Sequence, residues 1–400
     1  MNPIHILYDS QMFDLQKFGG ISRYFCEIIP RLHLDYTISV RYTENYYLSH
    51  SKLSKYYLPI PHFFFKKYSE LLYRQNHKLT KKLLEQPTPY IFHPTYYDPY
   101  FLNHIGSHPY VIPVHDMIYE LFPHYFPDSE EIIAAKKEII TKATRIIAIS
   151  ENTKKDIIKL LNINPQKIDV IYHGTNMQAI GQQNKLYLPE KYILFVGDRV
   201  TYKNFLNLLR AFSSISQTNP HLFLICTGKP LERNELQLME ELKVRDKVVQ
   251  MSVNDQLLCE LYRRALVFVY PSLYEGFGIP ILEAFACQCP IALSQASCFP
   301  EIAEKAAAYF DPYSVESIAN TLLQVIKDKD MRTQLLAAGK KRLYLYSWDK
   351  AAQQTEEVYN KIMIEKYPQT LKNIGIILEV CKIRQNITMN SSYPFRANFV

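Results

Sequence analysis

The residues best suited to chemistry gather in one stretch, Pro271-Ser-Leu-Tyr-Glu-Gly-Phe-Gly-Ile-Pro-Ile-Leu-Glu-Ala284. Glu275 precedes a loop carrying Gly276, Phe277 and Gly278, and Glu283 follows Ile279, Pro280 and Ile281. Pro280 suits the first turn of a helix, where a missing N–H costs nothing. The unpaired amides of such a turn carry partial positive charge and form a ready phosphate site. Glu283, one turn further on, can reach hydroxyls on whatever carries the phosphate, while Glu275 can approach a second group from the other side. A polar ligand with a phosphate in its middle fits this pattern. Taken singly, each glutamate is better read as a surface residue; the combination carries the inference.

Three other clusters share this chemistry. Phe195-Val-Gly-Asp-Arg-Val-Thr-Tyr-Lys-Asn-Phe205 follows an apolar run, and its Arg199 and Lys203 can both reach a diphosphate, Arg199 as a bidentate fork and Lys203 as a mobile point charge. Gly197 opens that loop. Phe18-Gly-Gly-Ile-Ser-Arg-Tyr24 also follows a strand-like run, and Gly19 and Gly20 allow backbone to approach a ligand closely at a helix start. His115 ends the run Val111-Ile-Pro-Val114, at a strand's carboxyl end. A lone histidine is more often structural, although His115 beside Asp116 also invites a general-base reading.

Together, Glu-Gly-Phe-Gly-Ile-Pro-x-x-Glu-Ala resembles the Glu-x7-Glu signature of retaining glycosyltransferases of the glycogen-synthase-like type, family 4 in particular. Gly-Gly-Ile-x-Arg-Tyr, the Gly197–Asn204 loop, the Ile168-Asp-Val-Ile-Tyr-His-Gly174 segment, Pro300-Glu301 and Ser347-Trp-Asp resemble further family elements. The resemblance implies an α/β fold of two Rossmann-like doubly wound domains facing across a cleft (GT-B), with a C-terminal helix crossing back to the first domain. It implies transfer of a hexose of mannose or glucose type from a nucleotide diphosphate sugar to a glycan or lipid-linked acceptor hydroxyl, in O-antigen or capsule assembly. Glu283 would bind the ribose, Glu275 and the 276–278 amides the donor sugar, and His115 a sugar hydroxyl. Arg199 and Lys203 would neutralise the leaving diphosphate, with Gly19, Gly20, Gly197 and the 277–281 segment around the nucleotide. No cofactor or metal is expected beyond the nucleotide sugar itself. Two positions depart from the family pattern: Gln288 stands where glycine is usual, and Ala303-Glu-Lys305 replaces a usual glycine-aspartate.

The elements that position these groups follow from alternating apolar runs and amphipathic stretches, which argue for parallel sheets with helical crossovers. Strands are expected at 4–8, 36–40, 90–93, 110–114, 145–149 and 168–172, then, after a polar linker at 175–188, at 192–196, 222–226, 247–250, 267–270 and 290–293. The motifs fall at carboxyl ends of these strands, where open α/β sheets bind ligands. The expected division is 1–180 for an acceptor-binding domain, 186–346 for a nucleotide-sugar domain, 347–384 for return helices and 385–400 for a tail.

The 400 residues carry a net charge of +7 and only 11 glycines, against the ~28 of an average chain. Seven cysteines without even spacing argue against a disulfide framework, and no run reaches the ~18 apolar residues of a membrane span. The expected setting is cytoplasmic, peripheral at the inner face of the plasma membrane. Residues 51–85 interleave Lys52, Lys55, Lys66, Lys67, Arg74, Lys78, Lys81 and Lys82 with aromatics, as an anionic membrane contact would, or a solvated helix face. Nucleic acid is disfavoured, since no recognised binding motif accompanies the charge. Rival functions are a nucleotide-sugar epimerase of the same architecture and a non-catalytic nucleotide-sugar-binding partner.

Overall fold

The computed structural model describes residues 5–178 and 187–368; the expected tail helix and much of the linker lie outside them. The first domain holds six short parallel strands: β1 (His5–Tyr8), β2 (Asp35–Ile38), β3 (Ile91–His93), β4 (Val111–Val114), β5 (Arg145–Ala148) and β6 (Ile168–Val170). They form two three-stranded ladders, β2-β1-β3 and β4-β5-β6, joined by a parallel bridge between Phe92 and Tyr110. The second domain is one six-stranded parallel sheet of β7 (Lys191–Phe195), β8 (Leu222–Thr227), β9 (Val248–Met251), β10 (Val267–Tyr270), β11 (Ile291–Ser294) and β12 (Ala308–Phe310). Its order, β12-β11-β10-β7-β8-β9, is the doubly wound Rossmann order. Every expected strand is present, displaced by at most two residues at either end. β12 is an addition, hidden in sequence because Lys305-Ala-Ala-Ala308 reads as helix.

Alternate residues of the central strands enter opposite cores, as sheets covered on both faces require. Tyr192, Leu194 and Phe268 face one cluster, and Ile193, Phe195, Val267 and Val269 face the other. Strand order reverses beside β1 in the first sheet and between β7 and β10 in the second. The motifs after β1, β4, β7 and β10 therefore converge at the crevices those reversals open.

The last described helix, Trp348–Lys366, returns to the first domain. Trp348, Ala352, Tyr359 and Ile362 complete the cluster of Ile6, Tyr8, Phe25 and Ile28. Tyr359 hydroxyl bonds the Tyr8 hydroxyl at 2.7 Å and His93 Nδ1 at 2.6 Å.

The helix His62–Leu84 buries Phe65, Asn76, Thr80 and Leu84 against the first domain, with non-helical backbone at Tyr68. Its other face leaves Phe63, Phe64, Tyr68 and Leu71 exposed. Among the described residues no helix is long and apolar enough to cross a membrane.

Candidate active site

The domains meet over a cavity of about 370 Å³ lined by the carboxyl-end loops of both sheets. Gly20 and His115 enter it from the first domain; Gly197, Lys203, Glu275 and residues 276–280 enter it from the second.

The Glu275 loop is seated on the first domain by close backbone packing. A Cβ at Gly276 would lie 1.7 Å from the His115 carbonyl oxygen, so no other residue fits there without moving a domain. Ser150 Oγ donates to the Gly276 carbonyl at 2.7 Å, and Tyr274 hydroxyl donates to Asp156 at 2.7 Å. Glu301 accepts from the Glu151 and Asn152 amides at 2.7 and 3.0 Å, capping a first-domain helix from the second domain. The Pro300-Glu301 pair thus acts at the domain seam. Gly278, with φ of 88°, turns the chain into the helix Ile279–Ala286, whose first amides face the cavity end. The helix Gly20–Ile28 begins at the same cavity, so two helix N-termini converge on it.

Lys203 Nζ pairs with Glu275 Oε1 at 2.5 Å and lies above the Tyr202 and Tyr270 rings. The pair places one cation and one carboxylate together on the cavity wall beside the helix start. Glu283 lies one turn deeper and is not among the cavity-lining residues. Its carboxylate meets Arg23 Nη1 at 3.5 Å and accepts from Tyr262 hydroxyl at 3.4 Å. Burial pushes the Glu283 carboxyl up, with the Arg23 charge opposing. Gly19 and Ile281 flank the cavity in sequence without lining it.

Arg199 departs from its expected place. Its Nε bonds Glu235 at 2.8 Å, its Nη1 the Thr227 carbonyl at 2.7 Å, and its Nη2 the Lys229 and Pro230 carbonyls. With its side chain only 3% exposed and its donors engaged, it braces the loop after β8 and does not face the cavity. Arg23, quoted in sequence only as part of a glycine motif, is the arginine that bridges the domains.

His115 is almost fully buried, and burial, reinforced by His93 and Lys136, lowers its imidazole to about 3. Burial thus disfavours proton uptake by this ring, which weighs against the general-base reading. Asp116 is turned toward Lys136, whose Nζ lies 3.8 Å from Asp116 Oδ1 and donates to its carbonyl at 2.7 Å. His173, at the end of the segment leading out of β6, also lines the cavity and escaped the sequence reading as a site residue.

Among the described residues no group of three or more His, Cys, Asp or Glu side chains could hold a metal ion. An Asp-x-Asp triplet, a pattern that can mark a metal site, does occur at Asp328-Lys-Asp330, but Asp328 caps the helix Lys329–Leu343 by accepting from the Met331 amide.

Two Rossmann-like domains enclosing a cavity with paired helix N-termini form the GT-B arrangement. Residues 18–179 match the model of Glycosyltransferase Family 4, and residues 176–342 that of Glycosyl transferases group 1. An uncharacterized glycosyltransferase of Methanocaldococcus jannaschii is 33% identical over 66% of this chain and 72% of its own. The O-antigen chain mannosyltransferase B of Escherichia coli is 29% identical over 68% of this chain and 74% of its own. The fold matches sucrose-phosphate synthase from Thermosynechococcus elongatus, with a TM-score of 0.69 at 18% identity over 92% of this chain and all of the other. The chain belongs to glycosyltransferase family 4.

Proposed function

We propose that this glycosyltransferase moves a mannosyl residue, with retention, from a nucleoside diphosphate mannose to a hydroxyl of a lipid-linked glycan in surface polysaccharide assembly. The carrying observation is the cavity itself, where Lys203 and two helix N-termini offer positive charge within reach of Glu275. The similarity to an O-antigen mannosyltransferase supports the choice of sugar.

In this reading the diphosphate lies against the Ile279–Ala286 helix start and Lys203. As the bond from the anomeric carbon to the β-phosphate oxygen breaks, the growing phosphate charge meets fixed amides and an ammonium group. The acceptor hydroxyl is proposed to attack from the leaving-group face and to pass its proton to the departing phosphate oxygen, while its oxygen bonds the anomeric carbon. Lys203 and the amides supply the charge compensation a divalent ion would give, so turnover is proposed to persist in excess EDTA. Glu283 is proposed to take the ribose hydroxyls, exchanging its Arg23 contact for them.

A surface beside the cavity supports a membrane-borne acceptor. Leu15, Phe18 and Tyr46 are exposed next to the Gly19-Gly20 turn, and Leu58, Phe63 and Phe64 continue the patch. Backbone and side-chain bonds stitch these segments together: Tyr46 N to Lys17 O at 2.9 Å, Leu58 N to Arg41 O at 2.8 Å, and His62 to Glu44 at 2.6 Å. Lys17, Lys66 and Lys67 lie in the same segments of the chain as these aromatics, as suits an anionic lipid surface.

The test incubates the purified chain with GDP-mannose, UDP-glucose and a short polyprenyl-linked acceptor, following nucleoside diphosphate release and product anomer by NMR. Mannose transferred in α configuration is the expected result. Inverted product, or nucleotide bound without turnover, would sink the proposal.

A further inference from the structure

Glu301 makes a contact that the chemistry at the cavity does not use. It stands in the short helix Phe299–Ala303 of the second domain, and its carboxylate accepts from the Glu151 and Asn152 amides at 2.7 and 3.0 Å. Those are the first two amides of the first-domain helix Glu151–Leu161, which no carbonyl of that helix can meet. The helix's own cap, Ser150, takes the Thr153 amide at 3.0 Å. Two donors of a first-domain helix therefore find their protein partner across the seam. The bonds are charge-assisted and lie at the positive end of the helix dipole.

The same helix holds the loop of Glu275. Ser150 Oγ donates to the Gly276 carbonyl and Tyr274 hydroxyl to Asp156, so the residues on either side of Glu275 are both bonded there. Glu301 itself does not line the cavity. The Arg23–Glu283 pair across the seam is given up to the ribose in the proposed reading, whereas Glu301 keeps its hold with a donor bound.

The contact sits beside the pivot. The chain leaves the first domain after Gly174 and returns at Ser347 and Trp348, and these crossings touch: a Cβ on Gly174 would lie 2.3 Å from the Trp348 nitrogen. Two crossings this close make a narrow hinge. Arg342, shortly before the return, donates Nη2 to the Glu301 carbonyl at 2.9 Å. Tyr172, shortly before Gly174, meets the Glu301 carboxylate. A small rotation at such a point is magnified at the far edge of the cavity.

Resting on the glycosyl-transfer reading, we propose that Glu301 is a positioning residue for transfer. By pinning the helix Glu151–Leu161 beside the hinge it sets the angle between the domains. That angle brings first-domain groups, and the acceptor, to a donor whose diphosphate is held by the second domain through Lys203 and the Ile279–Ala286 helix start.

The sole tryptophan, Trp348, lies at the returning crossing and is 3% exposed, so its emission reports the hinge in the whole chain. Glu301→Ala removes the carboxylate, and Glu301→Gln keeps one acceptor oxygen. Glu301→Ala is expected to lower kcat about tenfold, as misplacing reacting groups does. GDP and UDP affinity, measured by calorimetry, should stay within about twofold of wild type, since the groups that hold the diphosphate all stand in one domain. Trp348 emission should shift to the red as the crossing admits water, and Glu301→Gln should recover part of both effects. A folded Glu301→Ala with wild-type kcat and emission, or one changed in melting midpoint alone, would make the contact purely structural and overturn the proposal. Parallel loss of nucleotide affinity would overturn it too. Should Glu301→Ala fail to fold, Glu301→Gln is judged by the same readings. Wild-type protein that binds nucleotide yet transfers no sugar would overturn the transferase reading instead, and the emission of the variants with nucleotide bound would then decide whether Glu301 sets the hinge.

Discussion

At the scale of single residues, the site was legible where chemistry is carried by neighbours in sequence. Lys203, Glu275 and residues 276–280 are local to two loops, and a strand–loop–helix reading already places them together. Arg199 was not legible, because its direction is set by Glu235 and by carbonyls after β8, about thirty positions downstream. His173 and Arg23 were missed for the complementary reason: each is given its place by the opposite domain. Lys203→Ala is predicted to lower kcat about 100-fold, the scale of removing one preorganised donor from a transition state; steady-state kinetics with saturating donor would check it. Arg199→Ala, by contrast, should act mainly on stability. The three buried histidines make a second prediction. His93 and His115 are lowered to about 3, and His173 well below its usual value. Protons are thus taken up by the unfolded chain before the folded one. The stability these rings contribute is full above pH ~6.5 and is lost as pH drops toward the folded values, while the raised carboxyls of Asp9, Asp14 and Glu283 act in the opposite sense. Urea melts at pH 7 and pH 5 compared between wild type and His173→Phe should show a smaller loss of stability at pH 5 in the variant.

At the scale of elements, strand positions were readable because β-branched and aromatic runs are punctuated by polar caps, and the order of elements forces a parallel sheet. What the pattern could not give is backbone handedness at the two positions that depart from the family. Gln288 has φ of 55° and Glu304 φ of 45°, both in the left-handed region where glycine is at ease. The family's usual glycines at these turns thus have a steric explanation, and this chain holds strained side chains there, each costing ~1–3 kcal/mol. Glu304→Gly should therefore stabilise the second domain by about 1 kcal/mol, since the Glu304–Arg342 pair it removes involves a largely exposed carboxylate. A higher midpoint in chemical denaturation, with unchanged slope, is the expected reading.

At the scale of the whole molecule, exposed aromatics run through the 15–18, 41–50 and 58–68 segments, which hydrogen bonds join to one another. Flotation with vesicles containing phosphatidylglycerol should recover the chain at low salt and lose it as salt rises, at ~1 kcal/mol of attraction for each basic residue near the surface. Phe63→Ser with Phe64→Ser should weaken recovery while leaving transfer to a water-soluble acceptor unaffected. Equal recovery of wild type and double variant would deny the patch its part.

The Trp348–Lys366 helix has a bearing on how the polypeptide is made. Tyr8, Phe25 and Ile28 emerge from the ribosome early, yet the surface that shields them is encoded near the far end. At ~5–20 residues per second the first domain waits roughly ten to forty seconds with that apolar flank bare. During this interval the nascent chain is open to chaperones and to self-association, and a message cut short before residue 348 would yield a protein that never leaves that state.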